Sequence, residues 1–361
     1  MKTAIIGCGN ISTQYLERAT ESFPVLDIVR LADLDPARAR AQAETFKVPA
    51  HGSVDDLLAD DAVELVINLT IPAAHAEVAG KVIAAGKHVY GEKPLAVTAD
   101  EGRSILDAAA AKGVRVGNAP DTFLGTGHQT ARRLIDEGAI GRPVTCTAMM
   151  FTPGHERWHP DPEFYYQRGG GPMLDMGCYY LTALVNLLGP VARVCGESGV
   201  QINPRVIGSE KKKGQEIAVE VPDHTSASLR FASGVIGSLA TSFTGYEATH
   251  DTKYPITVYG TEGTLKVGDP NGFDTVPQVF HKDRPDDGYA DAEVTHTHPN
   301  GRSAGAADMA AAIAEGRPHR ASGTLAQHVL EVMVGAEASS AEARYVTLDT
   351  AGMERPAMMP V

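Results

Sequence analysis

The sequence predicts an α/β chain of two domains, a parallel doubly wound sheet followed by an α+β domain with a mostly antiparallel open sheet. Three observations carry that expectation. The length of 361 residues exceeds what one hydrophobic core comfortably serves. The first third alternates short apolar runs with Ala-, Arg- and Glu-rich stretches of helical period, which is the pattern of βαβ units. After about Asn118 the texture changes to paired apolar runs around tight turns, as in antiparallel hairpins. The boundary falls near residue 122, giving domains 1–122 and 123–361.

Within the first domain, residues 3–6, 27–32, 65–69, 87–90 and 114–116 read as strands. Residues 35–46, 73–85 and 98–112 read as helices between them. Their punctuation agrees: Pro36 follows Asp35 at a helix start, and Gly86 and Gly113 follow helix ends. In the second domain a helix over 125–137 leads into a strand over 144–151. Pro172, after three glycines, opens a helix that runs to Gly189. Hairpins join 225–231 to 235–243 and 256–260 to 264–267. The polar stretch 269–300 reads as a long irregular excursion, and 304–315 and 325–342 return to helix.

Composition excludes several classes of function. The net charge is −13, from 32 basic and 45 acidic residues, and Lys211-Lys212-Lys213 is too short a basic run for nucleic-acid binding. That run reads as a solvated loop, as does the His281 to His298 cluster. No apolar run reaches the length of a membrane span. The chain enters a strand directly after Met1-Lys2, without a charged leader, so a cytoplasmic protein is expected. Cys8, Cys146, Cys178 and Cys195 are widely spaced and read as reduced thiols.

Gly7-Cys8-Gly9-Asn10-Ile11-Ser12 places G-x-G-x-x-S between the first strand and a helix. Gly7 permits the tight turn and Gly9 lets a pyrophosphate approach the backbone. The helix N-terminus then offers free N–H groups and a favourable dipole, as in a Rossmann dinucleotide-binding domain. Ser12 stands where a third glycine is usual, and a small residue there still allows close packing. Asp33 follows 24 residues after Gly9, the spacing of a carboxylate that holds the adenosine ribose hydroxyls. A carboxylate there repels a 2′-phosphate, so NAD is expected in preference to NADP. Arg38 and Arg40 read as exposed residues of the next helix.

Four motifs in order resemble the Gfo/Idh/MocA oxidoreductase family of glucose–fructose oxidoreductase and inositol dehydrogenase. They are Gly7-x-Gly9, Ile71-Pro72-x-x-His75, Glu92-Lys93-Pro94 and Gly169-Gly170-Gly171-Pro172-Met173-Leu174-Asp175-Met176-Gly177-Cys178-Tyr179. Gly316-Arg317-Pro318 and the helix beyond also look like the family's C-terminal end. The resemblance implies a Rossmann domain, then a domain whose open sheet supports a homo-oligomer, dimer or tetramer. It implies cofactor contacts at Gly7, Gly9, Asn10, Ile11, Asp33, Thr70, Pro72, His75, Glu92 and Lys93. Lys93 would stand beside the nicotinamide and the substrate hydroxyl, and the Lys93-Pro94 bond is a candidate for the cis geometry.

Asp175 and Tyr179 are four residues apart, on one face of the helix, with Gly177 between them to admit a ligand. Many family members carry histidine where this chain has Tyr179; the tyrosine matches the subset typified by glucose–fructose oxidoreductase. The implied catalytic set is Lys93, Asp175 and Tyr179. Tyrosine ordinarily titrates near about 10, so base work near neutrality calls for a nearby cation such as Lys93. Lys93 itself is the other candidate proton acceptor. The implied substrate is a sugar, cyclic polyol or glycoside, contacted by Lys93, Asp121, Trp158, His159, Asp175 and Tyr179. Trp158 would stack on a sugar face, and His159 or Asp161 would bond its hydroxyls. His155, His159 and Asp161 lack the spacing of a metal site, so no metal is expected. A non-sugar dihydrodiol or carbonyl substrate is one alternative. A non-catalytic NAD-sensing regulator is another, although it would have no need of an acid/base set.

Overall fold

The computed structural model describes residues 1–245 and 251–361 and divides into two compact units. The first comprises Met1–Leu124 with Pro299–Gln327, and the second Gly125–His298 with His328–Val361. Reading the chain in order placed everything after residue 122 in one domain, whereas contacts return Pro299–Gln327 to the first unit. Buried polar groups fasten that segment. Asn118 N–H donates to Ala321 O at 3.0 Å, and Gly305 N–H donates to Asp121 Oδ2 at 3.1 Å.

The strands of the first unit are β1 (Lys2–Ile6), β2 (Asp27–Ala32), β3 (Ala50–Gly52), β4 (Leu65–Asn68), β5 (His88–Gly91) and β6 (Val116–Asn118). They form one parallel sheet in the order β3-β2-β1-β4-β5-β6. The order reverses beside β1, which opens a crevice at the strands' carboxyl ends. Every residue of β4 is buried, as expected of a strand covered on both faces. The helices are α1 (Asn10–Ser22), α2 (Pro36–Phe46), α3 (Val54–Leu58), α4 (His75–Ala84) and α5 (Ala99–Lys112), with a further helix, Ala304–Ala314, in the returning segment. Asp35 caps α2 through Ala37 N–H at 3.0 Å, and Thr98 with Glu101 forms a capping box on α5, which ends at left-handed Gly113. The last strand lies two residues later than the sequence suggested, and β3 and α3 were not anticipated at all. Both are too short for a periodic signal, although Ser53 and Asp56 form a reciprocal capping box on α3.

The second unit holds α6 (Thr126–Asp136), α7 (Cys178–Leu188) and a nine-stranded sheet. Its strands are β7 (Pro143–Phe151), β8 (Val191–Gly199), β11 (His224–Phe231), β12 (Ile236–Ser242), β13 (Ile256–Gly260), β14 (Gly263–Val267), β15 (Gln278–His281), β16 (Ala290–Asp291) and β17 (Val346–Thr347). A separate two-stranded sheet pairs β9 (Arg205–Val206) with β10 (Glu216–Ile217). The large sheet runs β16-β15-β14-β13-β7-β12-β11-β8-β17, antiparallel except where β7 and β12 run parallel. Burial alternates cleanly along β11, so one sheet face is core and the other is open.

Three expectations for this unit are corrected. The helix after Pro172 is interrupted by a π turn, Met173–Gly177, before α7 begins. The supposed excursion 269–300 contains β15 and β16, and His296 is fully buried rather than solvated. Lys211 and Lys212 are not idle in solvent, since both pair with Asp161.

The last helix, Gly323–Glu342, is locked to the sheet by a buried relay. Val191 N–H donates to His328 Nε2 at 3.0 Å, His328 Nδ1–H to Thr350 Oγ1 at 2.7 Å, and Thr350 Oγ1–H to Glu331 Oε2 at 2.8 Å. The relay needs a neutral imidazole because Nε2 accepts, and burial pushes His328 from 6.5 down to about 4. A depressed histidine contributes stability that is complete above its unfolded value and lost as pH falls. Unfolding free energy should therefore drop by up to about 3 kcal/mol between pH 6.5 and 4 on account of His328. Urea titrations across that window should show a distinctly shallower drop in His328→Gln.

Candidate active site

In the first unit the turn between β1 and α1 is built for close approach. Gly7 has φ +98°, and a Cβ there would lie 2.7 Å from the Leu69 carbonyl carbon and oxygen. Gly9 differs: a Cβ would meet no protein atom within 4 Å, so packing does not require glycine there. The space over Gly9 fits a pyrophosphate. The N-terminus of α1 adds to that fit, with no side-chain cap and no acidic residue in its first turn, so the Asn10 and Ile11 amides face no competing carboxylate there. Ser12 is fully buried and its Oγ donates to Gly9 O at 2.7 Å, so the third small residue serves the turn itself.

Asp33 ties this turn to the end of β2. Its Oδ2 accepts Cys8 N–H at 2.7 Å and its Oδ1 accepts Asp35 N–H at 2.8 Å. Burial, with the Asp33 charge adding to it, pushes the Cys8 thiol up to about 12, which leaves it unreactive. Gly7, Gly9, Asp33 and Thr70 line one cleft of about 830 Å³. Leu34, 98% exposed, and Ile71, 59% exposed, also line it, and this apolar surface suits the flat face of a base.

Two other expected cofactor contacts, His75 and Glu92, have partners within the protein. Pro72 opens a short 3₁₀ turn, Pro72–Ala74, that carries the chain into α4. His75 is 2% exposed, with Nδ1 2.6 Å from Pro94 O and Nε2 2.9 Å from Thr70 O. Both carbonyls can only accept, so a neutral ring donates to one of them, and burial lowers the group's pKa. His75 ties the Thr70 and Pro94 loops together. Glu92 is likewise buried: Tyr15 Oη donates to its Oε1 at 2.7 Å, and Lys93 N–H to its Oε2 at 3.0 Å. Half-buried Lys93 follows β5, and its bond to Pro94 is cis.

Asp121 also leaves the substrate set. It is fully buried, accepts Gly305 N–H and lies 3.8 Å from Arg302, and burial pushes its carboxyl up to about 6. Its work is to fasten the returning segment.

In the second unit Asp175 sits on the π turn and Tyr179 in the first turn of α7, 5% exposed. Gly177 between them does not open space for a ligand, because a Cβ there would run into Met173 Sδ at 2.6 Å. Nothing in the spacing of residues joins His155 to this pair, yet its Nε2–H donates to Asp175 Oδ2 at 3.0 Å. The imidazole packs against Tyr165, Phe243 and Trp158, with ring centroids 4.2, 4.7 and 5.5 Å away.

The loop carrying His155 has a buried ionic floor. Arg205, 3% exposed, donates from Nη1 to Glu156 Oε1 at 3.1 Å and from Nη2 to Asp223 Oδ2 at 2.8 Å. Tyr166 Oη also donates to Glu156. Above that floor Trp158 is 62% exposed. His159 packs edge-on against Trp158 and accepts Asp161 N–H at 3.1 Å, while Lys211 and Lys212 hold the Asp161 carboxyl down at about 2. Among the described residues no three His, Cys, Asp or Glu side chains gather as a metal-binding group. No described helix is long and apolar enough to cross a membrane.

A parallel sheet with a glycine turn, a ribose-type carboxylate and an open helix N-terminus defines an NAD-binding oxidoreductase scaffold. Residues 1–119 match the oxidoreductase family with the NAD-binding Rossmann fold, and 128–266 match the GFO/IDH/MocA C-terminal domain. The chain belongs to the Gfo/Idh/MocA oxidoreductase family. It is 28% identical over 271 residues to a dTDP-3,4-didehydro-2,6-dideoxy-alpha-D-glucose 3-reductase of Saccharopolyspora spinosa, covering 74% of each chain. It is 28% identical over 172 residues to the inositol 2-dehydrogenase of Salmonella typhimurium, spanning 46% of this chain and about half (51%) of that enzyme. Levoglucosan dehydrogenase in complex with NADH and levoglucosan has the same fold, with TM-score 0.80 and 22% identity over 97% of this chain and 99% of that one.

Asp33→Ala should weaken NAD binding roughly tenfold or more, because the glycine turn loses two charge-assisted hydrogen bonds. Calorimetric titration of the purified protein with NAD measures this.

Proposed function

We propose that this protein uses NAD to oxidise a secondary ring hydroxyl of a sugar, cyclic polyol or glycoside, or to reduce the matching ketone. One observation carries the reading: groups able to orient and move a hydroxyl proton stand on rigid elements in a chain with a dinucleotide cleft. These are Lys93 on the cis-Pro94 turn, and Asp175 and Tyr179 on consecutive helical turns. NAD, when bound, supplies the hydride acceptor at its nicotinamide ring. Lys93 and Asp175 orient the substrate hydroxyl, and Tyr179 takes its proton as hydride leaves the same carbon. The carbon ends as a ketone, and reduction reverses each step. The relatives support the substrate class, since their names specify a keto-deoxysugar reductase, an inositol dehydrogenase and a levoglucosan dehydrogenase.

Asp33 in the cleft favours NAD over NADP by charge. Exposed Trp158 offers a flat face for a sugar ring, with His159 beside it for a hydroxyl. The open face of the second unit's sheet presents Met149 and Ile236 beside a shallow depression of about 720 Å³, a surface suited to a second copy in a dimer or tetramer.

The protein should reduce NAD with at least one member of a panel of myo-inositol, levoglucosan, aldoses and methyl glycosides, read by absorbance of the reduced cofactor. NAD binding without turnover on the whole panel would overturn the reading. Tyr179→Phe should lower kcat about 10²- to 10⁴-fold with NAD affinity unchanged. Lys93→Ala should also lower kcat steeply; if it does so while Tyr179→Phe stays active, Lys93 is the proton acceptor.

A further inference from the structure

We propose that His155 is a positioning residue for the reaction, acting through Asp175, whose carboxylate it aims. The inference rests on the reading of Asp175 as the group that orients the substrate hydroxyl. The oxygens of a carboxylate on a helical turn move with its last torsion, and each swivel takes them off the productive line. The Nε2–H of His155 fixes one oxygen, Oδ2, at 3.0 Å, and with it the plane of the group. Since a carboxylate can only accept, the proton of this bond belongs to Nε2.

The structure surrounding His155 is organised to hold the ring still. Tyr165 and Phe243 lie against it, and Trp158 meets it edge-on with planes 85° apart. The backbone on either side is equally constrained. Gly154 has φ +98°, and a Cβ there would collide with Glu156, Tyr166 and Arg205. The next residue, Glu156, is 5% exposed and ion-paired to Arg205. The pair His155–Asp175 therefore joins two elements, a 3₁₀ turn over His155–Arg157 and the π turn, each fixed by its own packing. Side-chain exposure of 14% at both partners keeps water from competing fully for the bond.

His155→Phe keeps a ring in the aromatic setting and removes the donor. On the best panel substrate it should lower kcat roughly ten- to hundredfold, the range of a lost hydrogen bond to a charged group, while KM and NAD affinity change little. His155→Gln, whose amide can reach back to the carboxylate, should recover much of that loss. In an Asp175→Ala background, His155→Phe should cost nothing further, because its partner is already gone. Retention of kcat in His155→Phe overturns the proposal. So does a loss that adds in full to that of Asp175→Ala, since it would mark a packing role. If Asp175→Ala alone keeps full turnover, the reading of Asp175 fails, and this inference with it.

Discussion

The cofactor half of the molecule depends on one carboxylate. Asp33 accepts Cys8 N–H and Asp35 N–H, and so joins the glycine turn after β1 to the start of α2. It adds to the bond from Gly7 N–H to Ala32 O at 2.8 Å, so the turn that Gly7 closes at φ +98° is tied to the end of β2 more than once. Ser12 secures the same turn from within, bonding back to Gly9. The helix N-terminus then keeps its direction, and a dipole is useful to an anion only if it is aimed. A ribose bonding to Asp33 would meet a group already oriented by the backbone, so little ordering would remain to be done on binding.

A buried charge organises the loop that carries His155 and Trp158 in a comparable way. Arg205 is removed from water almost entirely, which is costly, and the cost is offset by Glu156 on one side and Asp223 on the other. Breaking either pair would leave an uncompensated buried charge, so the loop has strong reason to keep one shape. With its floor fixed in this manner, the loop can leave Trp158 in solvent without being mobile for that reason. An exposed indole on a rigid loop is the arrangement a sugar face needs, because apolar stacking is weak unless the platform stays in place.

What the sequence revealed followed from how local each signal is. Strand period, glycine turns and helix caps depend on neighbours a few residues away, and they were readable. The glycine turn and Asp33 were readable because their spacing is set by one βαβ unit. His75, Glu92 and Asp121 carry the right chemistry for ligand contact, but their partners lie elsewhere: Pro94, Tyr15 and Gly305. Residue type told that each was polar; only the tertiary structure told that each was already engaged with another part of the chain. The return of Pro299–Gln327 to the first unit was hidden for the same reason, since an antiparallel bridge from Gly117 to Ser322 leaves no local trace.

Position 179 shows how a substitution can shift demands onto distant residues. A histidine there would titrate near neutrality by itself, whereas a tyrosine needs its phenolate favoured and its geometry tightly held. The π turn before α7 is one device for that, because inserting an extra residue into a helix re-aims the side chains around it. Met173 packs against Gly177 inside this turn, so the widened backbone is filled, not hollow. His155 is the second device: an imidazole brought from another loop to the neighbouring carboxylate. The histidine missing from position 179 is thus not replaced in kind. On the proposed reading the proton passes to Tyr179 or Lys93, while a histidine from outside the helix holds the Asp175 carboxylate.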